Sequence, residues 1–295
     1  MSRKDLLSAL MVPVVWGIAF ALGKPATEHF PPMLMFAGVY GFVAILFSLL
    51  YRGPYHTPFL SGLVLGSMVG SIQAILIFSG LAGLDAAVTV IVLQTQVPIS
   101  VIADRMINGT QLKTMQVAGV LVAFLGVAVI AGMPAKPPAA VPMALLLAGA
   151  VVWAFGQALV RRLGRDEGPK LLALIGLHAA PQLLVGSLLL ESGQMAAITG
   201  AGSIAWGSFL LLTVFGFGIG NLTWYILMKR LRLAELAPFL LLMPVIGVIT
   251  SALVLGERLE PIQLAGGVIV LAGLAMVLGI GQRGGGTRSQ AETAS

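Results

Sequence analysis

The sequence contains no cysteine, and only 9% of its 295 residues are charged. The absence of cysteine excludes disulfides, thiolate metal ligands and a cysteine nucleophile, and it leaves the redox compartment undetermined. A soluble domain carries about 25% charged residues, so a chain with so little charge and 58% hydrophobic residues has more apolar surface than a soluble core can bury. Together with the mean hydropathy of +1.00, this composition predicts an all-α membrane protein.

Apolar runs of about 20 residues, the length needed to cross the hydrocarbon layer, occur ten times. They cover residues 5–23, 32–50, 59–82, 86–104, 114–132, 142–160, 170–190, 205–228, 233–255 and 262–281. The first run follows Arg3 and Lys4, as a signal peptide would, but it lacks a clear cleavage site, so we interpret it as the first transmembrane helix. The polar, glycine-rich residues 283–295 are predicted to be a disordered cytoplasmic tail.

The distribution of basic residues predicts the orientation of these spans. With the N-terminus in the cytoplasm, 14 of the 17 Lys and Arg residues lie in cytoplasmic segments, and only Lys24, Lys136 and Arg258 lie outside. Such an excess is the usual pattern of cytoplasmic loops, so both termini are predicted to be cytoplasmic. The net charge of +6 follows from this topology, and no nucleic-acid partner is expected.

Two similar phrases open the two halves of the chain, VVWGIAFALGK at 14–24 and VVWAFGQALVR at 151–161. The ends of the halves match as well, because NGTQLKTMQVAGVLVAFLG (108–126) aligns without a gap on LGERLEPIQLAGGVIVLAG (255–273). In this alignment Gly119 falls on Gly266, and Gly126 falls on Gly273. The chain therefore contains an internal repeat.

The repeat extends upstream, where VPIS (97–100) matches MPVI (243–246) after a shift of one residue. Each half holds five predicted spans, an odd number, so the second half enters the membrane from the opposite side. We therefore predict ten transmembrane helices arranged as a 5+5 inverted-topology repeat around a central cavity, with the two repeats at 5–132 and 142–282.

A tryptophan stands in the middle of each opening phrase, although this residue prefers the membrane surface. Trp16 precedes Lys24 by eight residues, and Trp153 precedes Arg161 by the same number, which puts each indole about 12 Å along its helix from that end. We predict that both line a shared central cavity with the substrate-binding candidate Gln157. The alternative is that each is a packing residue at a helix crossing.

The opening phrases and the phrase LGERLEPIQLAGGVIVLAGL (255–274) resemble the ten-helix EamA-type exporters of the drug/metabolite transporter superfamily. The likeness is greatest to the bacterial amino-acid exporters, including the aromatic type. It covers nearly the whole chain, although the first half departs from the pattern by reading NGTQLKT in place of the GERLEP form. The resemblance implies export of small metabolites across the bacterial inner membrane by alternating access, without metal or cofactor, and we expect a monomer.

The fourth span carries a group of polar residues near the midplane, where polar side chains usually face the bundle interior or water. Gln94 and Gln96 cannot both point the same way, so we expect one to bind substrate and the other to bond between helices, with Gln96 favoured for the cavity. Ser100 and Asp104 follow Gln96 at helical spacing. Pro98 and its counterpart Pro244 each remove a backbone hydrogen bond and are predicted to act in hinge motion or gating.

Other spans supply further candidates for substrate binding. Gly62, Gly66 and Gly70 in the third span are predicted to allow close helix packing instead. In the eighth span, FGFGIGNLTWY, helical spacing places four polar and aromatic side chains on one face, although packing and an interfacial role for Trp224 are equally compatible with the pattern. The candidates from the second, third and eighth spans are Tyr40, Ser71, Gln73, Phe217, Asn221, Trp224 and Tyr225.

No Asp or Glu lies near the midplane of any predicted span, whereas a proton antiporter needs a titratable group along its path. His178 is the one central candidate for proton coupling, and it could equally be a neutral histidine between helices. We therefore expect a facilitative exporter of neutral and aromatic amino acids. The alternatives are a proton-coupled exporter of lipophilic cations, a passive channel and, least favoured, an intramembrane enzyme, for which the paired intramembrane Asp or GxSG-type serine is missing.

Overall fold

The computed structural model describes residues 1–81, 84, 86–132, 139–255 and 260–278, and within them helices are joined by short connections, without strands. We number the α-helices in chain order. They are α1 Arg3–Leu22, α2 Lys24–His29, α3 Pro32–Leu50, α4 Phe59–Gly66, α5 Gln73–Leu81, α6 Ala86–Gln94, α7 Gln96–Asn108, α8 Thr114–Ala131, α9 Ala140–Leu163, α10 Gly168–Leu190, α11 Gln194–Gly200, α12 Ser203–Leu211, α13 Leu222–Met228, α14 Leu233–Leu236, α15 Met243–Leu255 and α16 Pro261–Leu278.

Several of these helices join end to end into longer spans. Within the described residues, 9 helical segments are long and apolar enough to cross a membrane. They correspond to the second to tenth predicted spans, and the first predicted span corresponds to α1, a helix of 20 residues. An all-helical membrane protein is thus confirmed, while the exact number of ten spans stays a prediction.

The crossing of α8 and α16 shows how the two halves are related. A Cβ added to Gly119 would lie 2.6 Å from the Gly273 carbonyl oxygen, and one added to Gly126 would lie 2.8 Å from that of Gly266. Residue numbers rise along one helix as they fall along the other, so the two helices are antiparallel. In the alignment, Gly119 matches Gly266 and Gly126 matches Gly273. Gly119 therefore contacts the residue that matches Gly126, and Gly126 contacts the residue that matches Gly119, as a two-fold axis through the crossing requires.

The same axis passes between α3 and α10, the second helices of the two halves. Gly176 packs against the Tyr40 carbonyl oxygen and Ala44, and Gly41 faces Ala180, so these helices are also antiparallel. The caps of α8 and α16 repeat in the same way, because the backbone N–H of Lys113 donates to Gln116 Oε1 at 3.2 Å and that of Glu260 donates to Gln263 Oε1 at 3.0 Å. The matched glutamines of the alignment therefore cap the first turn of matched helices.

Polar contacts group the connections on two sides of the bundle. On the side of the N-terminus, Asp5 pairs with Arg230 at 3.7 Å, Lys229 donates to the Gly164 carbonyl at 2.6 Å, and Asp166 accepts from the backbone of His56 at 2.8 Å. On the opposite side, Glu191 accepts from the backbone N–H of Met33 at 2.7 Å and of Leu34 at 3.1 Å. These contacts agree with spans that alternate in direction from one to the next.

The third and fourth spans of each half depart from α-helical geometry at matching places. The third spans contain the π-helical segments Ser67–Ile72 and Leu212–Asn221. The fourth span breaks at Thr95 between α6 and α7, and its counterpart contains the 3₁₀ segment Ala237–Leu242 before α15. Each break stands just before a proline, Pro98 or Pro244, because proline cannot donate to the preceding turn. These segments are where the predicted hinges lie.

Some predicted features fall on residues that the structure does not describe. They are the tail at 283–295, the external basic residues Lys136 and Arg258, and the positions 256–259 of the second repeat phrase.

Candidate functional site

Three tryptophans meet where the two halves join. The Trp224 ring centroid lies 5.7 Å from that of Trp16 and 6.0 Å from that of Trp153, with interplanar angles of 37° and 36°. Trp224 is 1% exposed and stands between the other two rings. The sequence pairs Trp16 with Trp153, and the structure brings them together through a third indole from the eighth span. The interfacial role considered for Trp224 is therefore wrong.

The indole N–H groups of this cluster have polar partners, as buried tryptophans usually do. Trp16 Nε1 donates to the Gly216 carbonyl at 2.9 Å, and Trp224 Nε1 donates to Gln157 Oε1 at 3.0 Å. Gln157 is 2% exposed and also lies beside the hydroxyl of Tyr225. A buried amide thus adjoins the aromatic cluster and accepts a hydrogen bond from it.

A second aromatic group extends from this cluster toward α3. The Phe217 ring lies 5.4 Å from Tyr40 and 5.4 Å from Phe36, and the Tyr40 hydroxyl donates to the Val69 carbonyl at 3.1 Å. Tyr40 and Tyr225 are both buried and close enough to interact electrostatically. Of the four candidates of the eighth span, Phe217 and Asn221 lie in the π-helical segment Leu212–Asn221, whereas Trp224 and Tyr225 lie in α13.

Gln94 bridges the two fourth spans. Its Nε2 donates to the Leu240 carbonyl oxygen at 3.2 Å. That carbonyl stands four residues before Pro244, which cannot donate to it, and it also accepts from the backbone N–H of Met243. The bond from Nε2 fixes the orientation of the amide and leaves Gln94 Oε1 buried without a hydrogen-bond partner. Gln94 thus takes the interhelical role predicted for one of the two glutamines, and it keeps a free acceptor as well.

The remaining predicted ligands are less buried. Gln96, at the start of α7, and Asn221, at the end of the π-helical segment, are both half-buried. Gln73 is also half-buried, and its amide donates to the Gly70 carbonyl one turn earlier at 3.4 Å. None of these three forms a hydrogen bond with the tryptophan cluster, and their role in binding stays a prediction.

Ser71 belongs to a polar cluster whose central member sequence reasoning missed. The hydroxyls of Ser71 and Ser67 both donate to Gln182 Oε1, the latter at 3.0 Å. Gln182 lies on α10, directly after Pro181 in the helix interior. The signal was an amide inside an otherwise apolar run, which favours a hydrogen bond to a neighbouring helix.

His178 lies where α10 crosses α4, at the glycine stripe. A Cβ on Gly66 would meet the Cβ of His178 at 2.5 Å, and the His178 ring packs edge-on against Phe59 at 5.0 Å. Gly70 meets Ala179 in the same way, so the predicted close packing along this stripe is confirmed. The histidine is half-buried in a helix contact and is not part of the tryptophan cluster.

Asp104 is the charged residue whose environment departs most from the sequence expectation. It is 0% exposed in α7, and its carboxylate accepts hydrogen bonds from Asn108 Nδ2 at 2.8 Å and from the backbone N–H of Ala234 at 3.2 Å. Arg161 Nη1 lies 3.9 Å away. The sequence places Asp104 and Arg161 at the ends of two spans, and opposite charges at neighbouring span ends were the signal that could have paired them.

Two cavities lie away from the tryptophan cluster. One of about 390 Å³, on the side opposite the N-terminus, is lined by Phe30, which precedes α3, and by apolar side chains of α3, α10, α11 and α12, among them Trp206 and Phe209. The other, of about 340 Å³, is polar and is lined by Thr110, Gln111, Lys113, Gln116, Arg232, Ala234 and Glu235. Over the described ranges, no group of three His, Asp or Glu residues could hold a metal ion.

Comparison with known proteins gives a consistent result. The model of the EamA-like transporter family matches residues 3–132 and again residues 141–279. A "probable amino-acid metabolite efflux pump" of Salmonella typhimurium and one of Escherichia coli are each 30% identical over 288 residues, covering 93% of this chain and 94% of theirs. An uncharacterized transporter of Bacillus subtilis is 28% identical over 294 residues, 94% of this chain and 92% of its own. A solved crystal structure with 20% identity and a TM-score of 0.79 covers 94% of this chain and 99% of its own, and it shows the same fold.

Proposed function

This chain belongs to the EamA-like transporter family, a family of multi-pass membrane transporters, and we propose that it exports neutral and aromatic amino acids by alternating access without a coupling ion. The observation that carries the proposal is the cluster of Trp16, Trp224 and Trp153 with the buried amide of Gln157 at the junction of the halves. Inverted-repeat transporters bind substrate at such junctions near the midplane.

The chemistry of this cluster suits a solute that is neutral overall. Indole rings pack well against aromatic and aliphatic side chains, and among the described residues no carboxylate stands beside them to hold a cation. The names of the Salmonella and Escherichia relatives, which specify amino-acid metabolite efflux, point to the same class of substrate. Loose recognition by rings and amides favours breadth over strict selectivity.

The charged ends of an amino acid need partners of their own. Gln94 Oε1 is buried and has no partner, and leaving an acceptor unpaired costs about 1–3 kcal/mol. An ammonium group, with three donors, would satisfy it. Gln96, Asn221 and Gln73 are further candidates for the polar ends of the substrate, and Pro98 and Pro244 for the hinges that move the fourth spans.

The proposed orientation places the N-terminus and the C-terminus in the cytoplasm. The side that carries the N-terminus holds most of the basic residues, among them Arg161, Arg162, Lys229 and Arg230, and these loops contact one another. An excess of basic residues is typical of the cytoplasmic side. Export then runs from the polar cavity beside Lys113 and Arg232 toward the opposite side.

Uptake into liposomes containing the purified protein tests the proposal. The panel should contain labelled neutral, aromatic, acidic and basic amino acids and one lipophilic cation, each with and without a pH gradient. We expect saturable, stereoselective uptake of neutral and aromatic amino acids without a gradient. Uptake of the cation alone, or only with a gradient, would instead indicate a proton-coupled drug exporter, and flux linear in concentration would indicate a channel.

A pair of variants links the uptake to the cluster. Trp224→Phe keeps an aromatic ring but removes the N–H that donates to Gln157, so the half-saturation concentration should rise. Trp206→Phe is the matched control, because Trp206 packs on Phe30 and Phe209 on the opposite side. Equal effects of the two substitutions would show that the tryptophan cluster is not part of the binding site.

A further inference from the structure

Asp104 is a buried carboxylate for which the proposed binding site has no use. A charge taken fully out of water costs several kcal/mol unless other groups compensate it. Here the compensation comes from three different elements: Asn108 on α7 itself, the backbone of Ala234 in α14, and Arg161 on α9. A single side chain thus joins parts of the fourth, sixth and ninth spans.

Asn108 strengthens the same connection. Its amide donates both to Asp104 at 2.8 Å and to the Ala158 carbonyl of α9 at 3.1 Å. Ala234 begins the segment that continues through the 3₁₀ turns Ala237–Leu242 to Pro244. The carboxylate therefore holds one end of a segment that contains a predicted hinge.

The contacts around Asp104 are incomplete in this conformation. Arg161 Nη1 is buried without a hydrogen-bond partner, and so is the hydroxyl of Ser100, one turn before Asp104. At 3.9 Å the Arg161–Asp104 pair is longer than a hydrogen bond. A buried pair that is held by so few bonds can be released at modest cost, unlike a fully bonded structural ion pair.

The polar cavity on the N-terminal side ends at this connection. Ala234, whose N–H donates to Asp104, also lines that cavity together with Lys113 and Arg232. Asp104 therefore joins α7, α9 and α14 at the edge of this cavity.

The second half has no equivalent carboxylate. The match of Pro98 with Pro244 places Asp104 on Thr250, and the matching tryptophan phrases place Arg161 on Lys24. The two ends of the molecule therefore differ in chemistry at these matching positions, although their backbones are related by the repeat.

We propose that Asp104 is the latch of the N-terminal gate, a positioning residue that holds α14 against α7 and α9 and must release them when that side opens. The proposal rests on the alternating access of the proposed function, but its test requires no substrate. The chain contains no cysteine, so a single introduced thiol reports local access without background.

Two reporter positions are related by the repeat. Ser100→Cys places a thiol one turn from Asp104, at a hydroxyl that makes no hydrogen bond in the structure. Gly247→Cys places one on α15, one residue beyond the position that matches Ser100, where a Cβ meets nothing within 4 Å. The measurement is the rate at which a small polar maleimide modifies each thiol in the purified full-length protein.

With Asp104→Asn we expect the thiol introduced by Ser100→Cys to react about tenfold faster, because losing a hydrogen bond to a charged group shifts a two-state equilibrium by that order. The thiol introduced by Gly247→Cys should react more slowly, since opening one side closes the other. Arg161→Gln should act in the same direction and serves as the second variant if Asp104→Asn does not fold. Glu167→Gln, an exposed carboxylate on the same side, should leave both rates unchanged.

An unchanged rate at position 100 in folded Asp104→Asn and Arg161→Gln would overturn the latch. Faster reaction at both reporters would also overturn it, because that result means general loosening and a purely structural role. Liposome uptake separates the two proposals. If the two maleimide reaction rates change in opposite directions but the protein takes up no amino acids, the latch is supported and the proposed substrate is wrong. If the protein takes up amino acids but the rates do not change in opposite directions, the substrate is supported and the latch is wrong.

Discussion

The fourth span of the first half contains a buried carboxylate, whereas the matching position of the second half is a threonine. Elsewhere the halves agree closely: the glycines of α8 and α16 interlock about a two-fold axis, and the third spans share a π-helical segment. The backbone thus follows the repeat, and the buried carboxylate departs from it. Under the proposed alternating access, the shared backbone would allow two related conformations, and the differing side chains would set how stable each one is.

The crossing of α8 and α16 provides the strongest test of the shared part. A Cβ on Gly126 would lie 2.6 Å from the backbone nitrogen of Val270, so Gly126→Ala must push the helices apart. We expect a loss of about 1–3 kcal/mol in the free energy of unfolding, the usual cost of overpacking. Gly266→Ala, its partner across the axis, should cost a similar amount, as measured by thermal unfolding in detergent.

The double substitution sharpens this test. Once one alanine has separated the helices, the second finds part of its space already open, so the combined loss should be smaller than the sum. Gly207→Ala is the control, because a Cβ there meets nothing within 4 Å. Full additivity, or no loss from either single substitution, would mean that the two glycines do not share one contact.

Substituting a carboxylate that holds two loops together tests the side chains that differ between the halves. Asp166 accepts from the backbone N–H of His56 at 2.8 Å and of Thr57 at 2.9 Å. Burial by itself raises the pKa of Asp166, but the hydrogen bonds from His56 and Thr57 outweigh it and hold the pKa below its ordinary value. Because hydrogen bonds to a charged group contribute about 1.5–3 kcal/mol, Asp166→Asn should destabilise the protein by about that amount at pH 7.

The pH dependence of this loss follows from the direction of the pKa shift. A carboxylate with a lowered folded-state pKa contributes stability that is complete above the unfolded pKa, about 4, and that disappears as the pH falls through the folded value. The difference in stability between wild type and Asp166→Asn should therefore shrink as the pH is lowered below about 4. A difference that stays constant with pH would show that the loss comes from packing and not from the charge.

Hydropathy, basic residues and the gapless repeat were enough to predict the helical membrane fold and its duplication, because lipid imposes long apolar helices. The matching phrases also predicted that Trp16 and Trp153 lie near each other between the halves, and the glycine stripe of the third span predicted close helix packing. Spacing rules did not predict the π-helical segment Leu212–Asn221, since they assume 3.6 residues per turn. The burial of Asp104 and the role of Gln182 were missed because contacts between distant spans leave no mark in local periodicity.

The two matched tryptophans offer a finer comparison of the halves. The Trp16 indole donates to the Gly216 carbonyl, whereas the structure joins Trp153 to the cluster through its ring contact with Trp224. Trp16→Phe removes the indole hydrogen bond to a carbonyl of the π-helical segment, at a cost of about 1 kcal/mol. We expect its half-saturation concentration for amino-acid uptake to rise about fivefold, and that of Trp153→Phe to change by less. A larger rise in the half-saturation concentration for Trp153→Phe than for Trp16→Phe would mean that the tryptophan of the second half makes the more important contact.

His178 carries the smallest expected effect. Its ring packs on Phe59, and its Cβ faces Gly66, so it lies in a helix contact of the third and seventh spans and not in the tryptophan cluster. An alanine there removes a partly exposed ring and leaves the close approach of the helices intact, so downhill flux of neutral amino acids should stay within about twofold of wild type. Flux should be measured with and without a pH gradient, in variants whose unfolding temperature matches wild type. Lost flux in such a folded variant would mean that the histidine carries protons, and the facilitative mechanism would then give way to a coupled one.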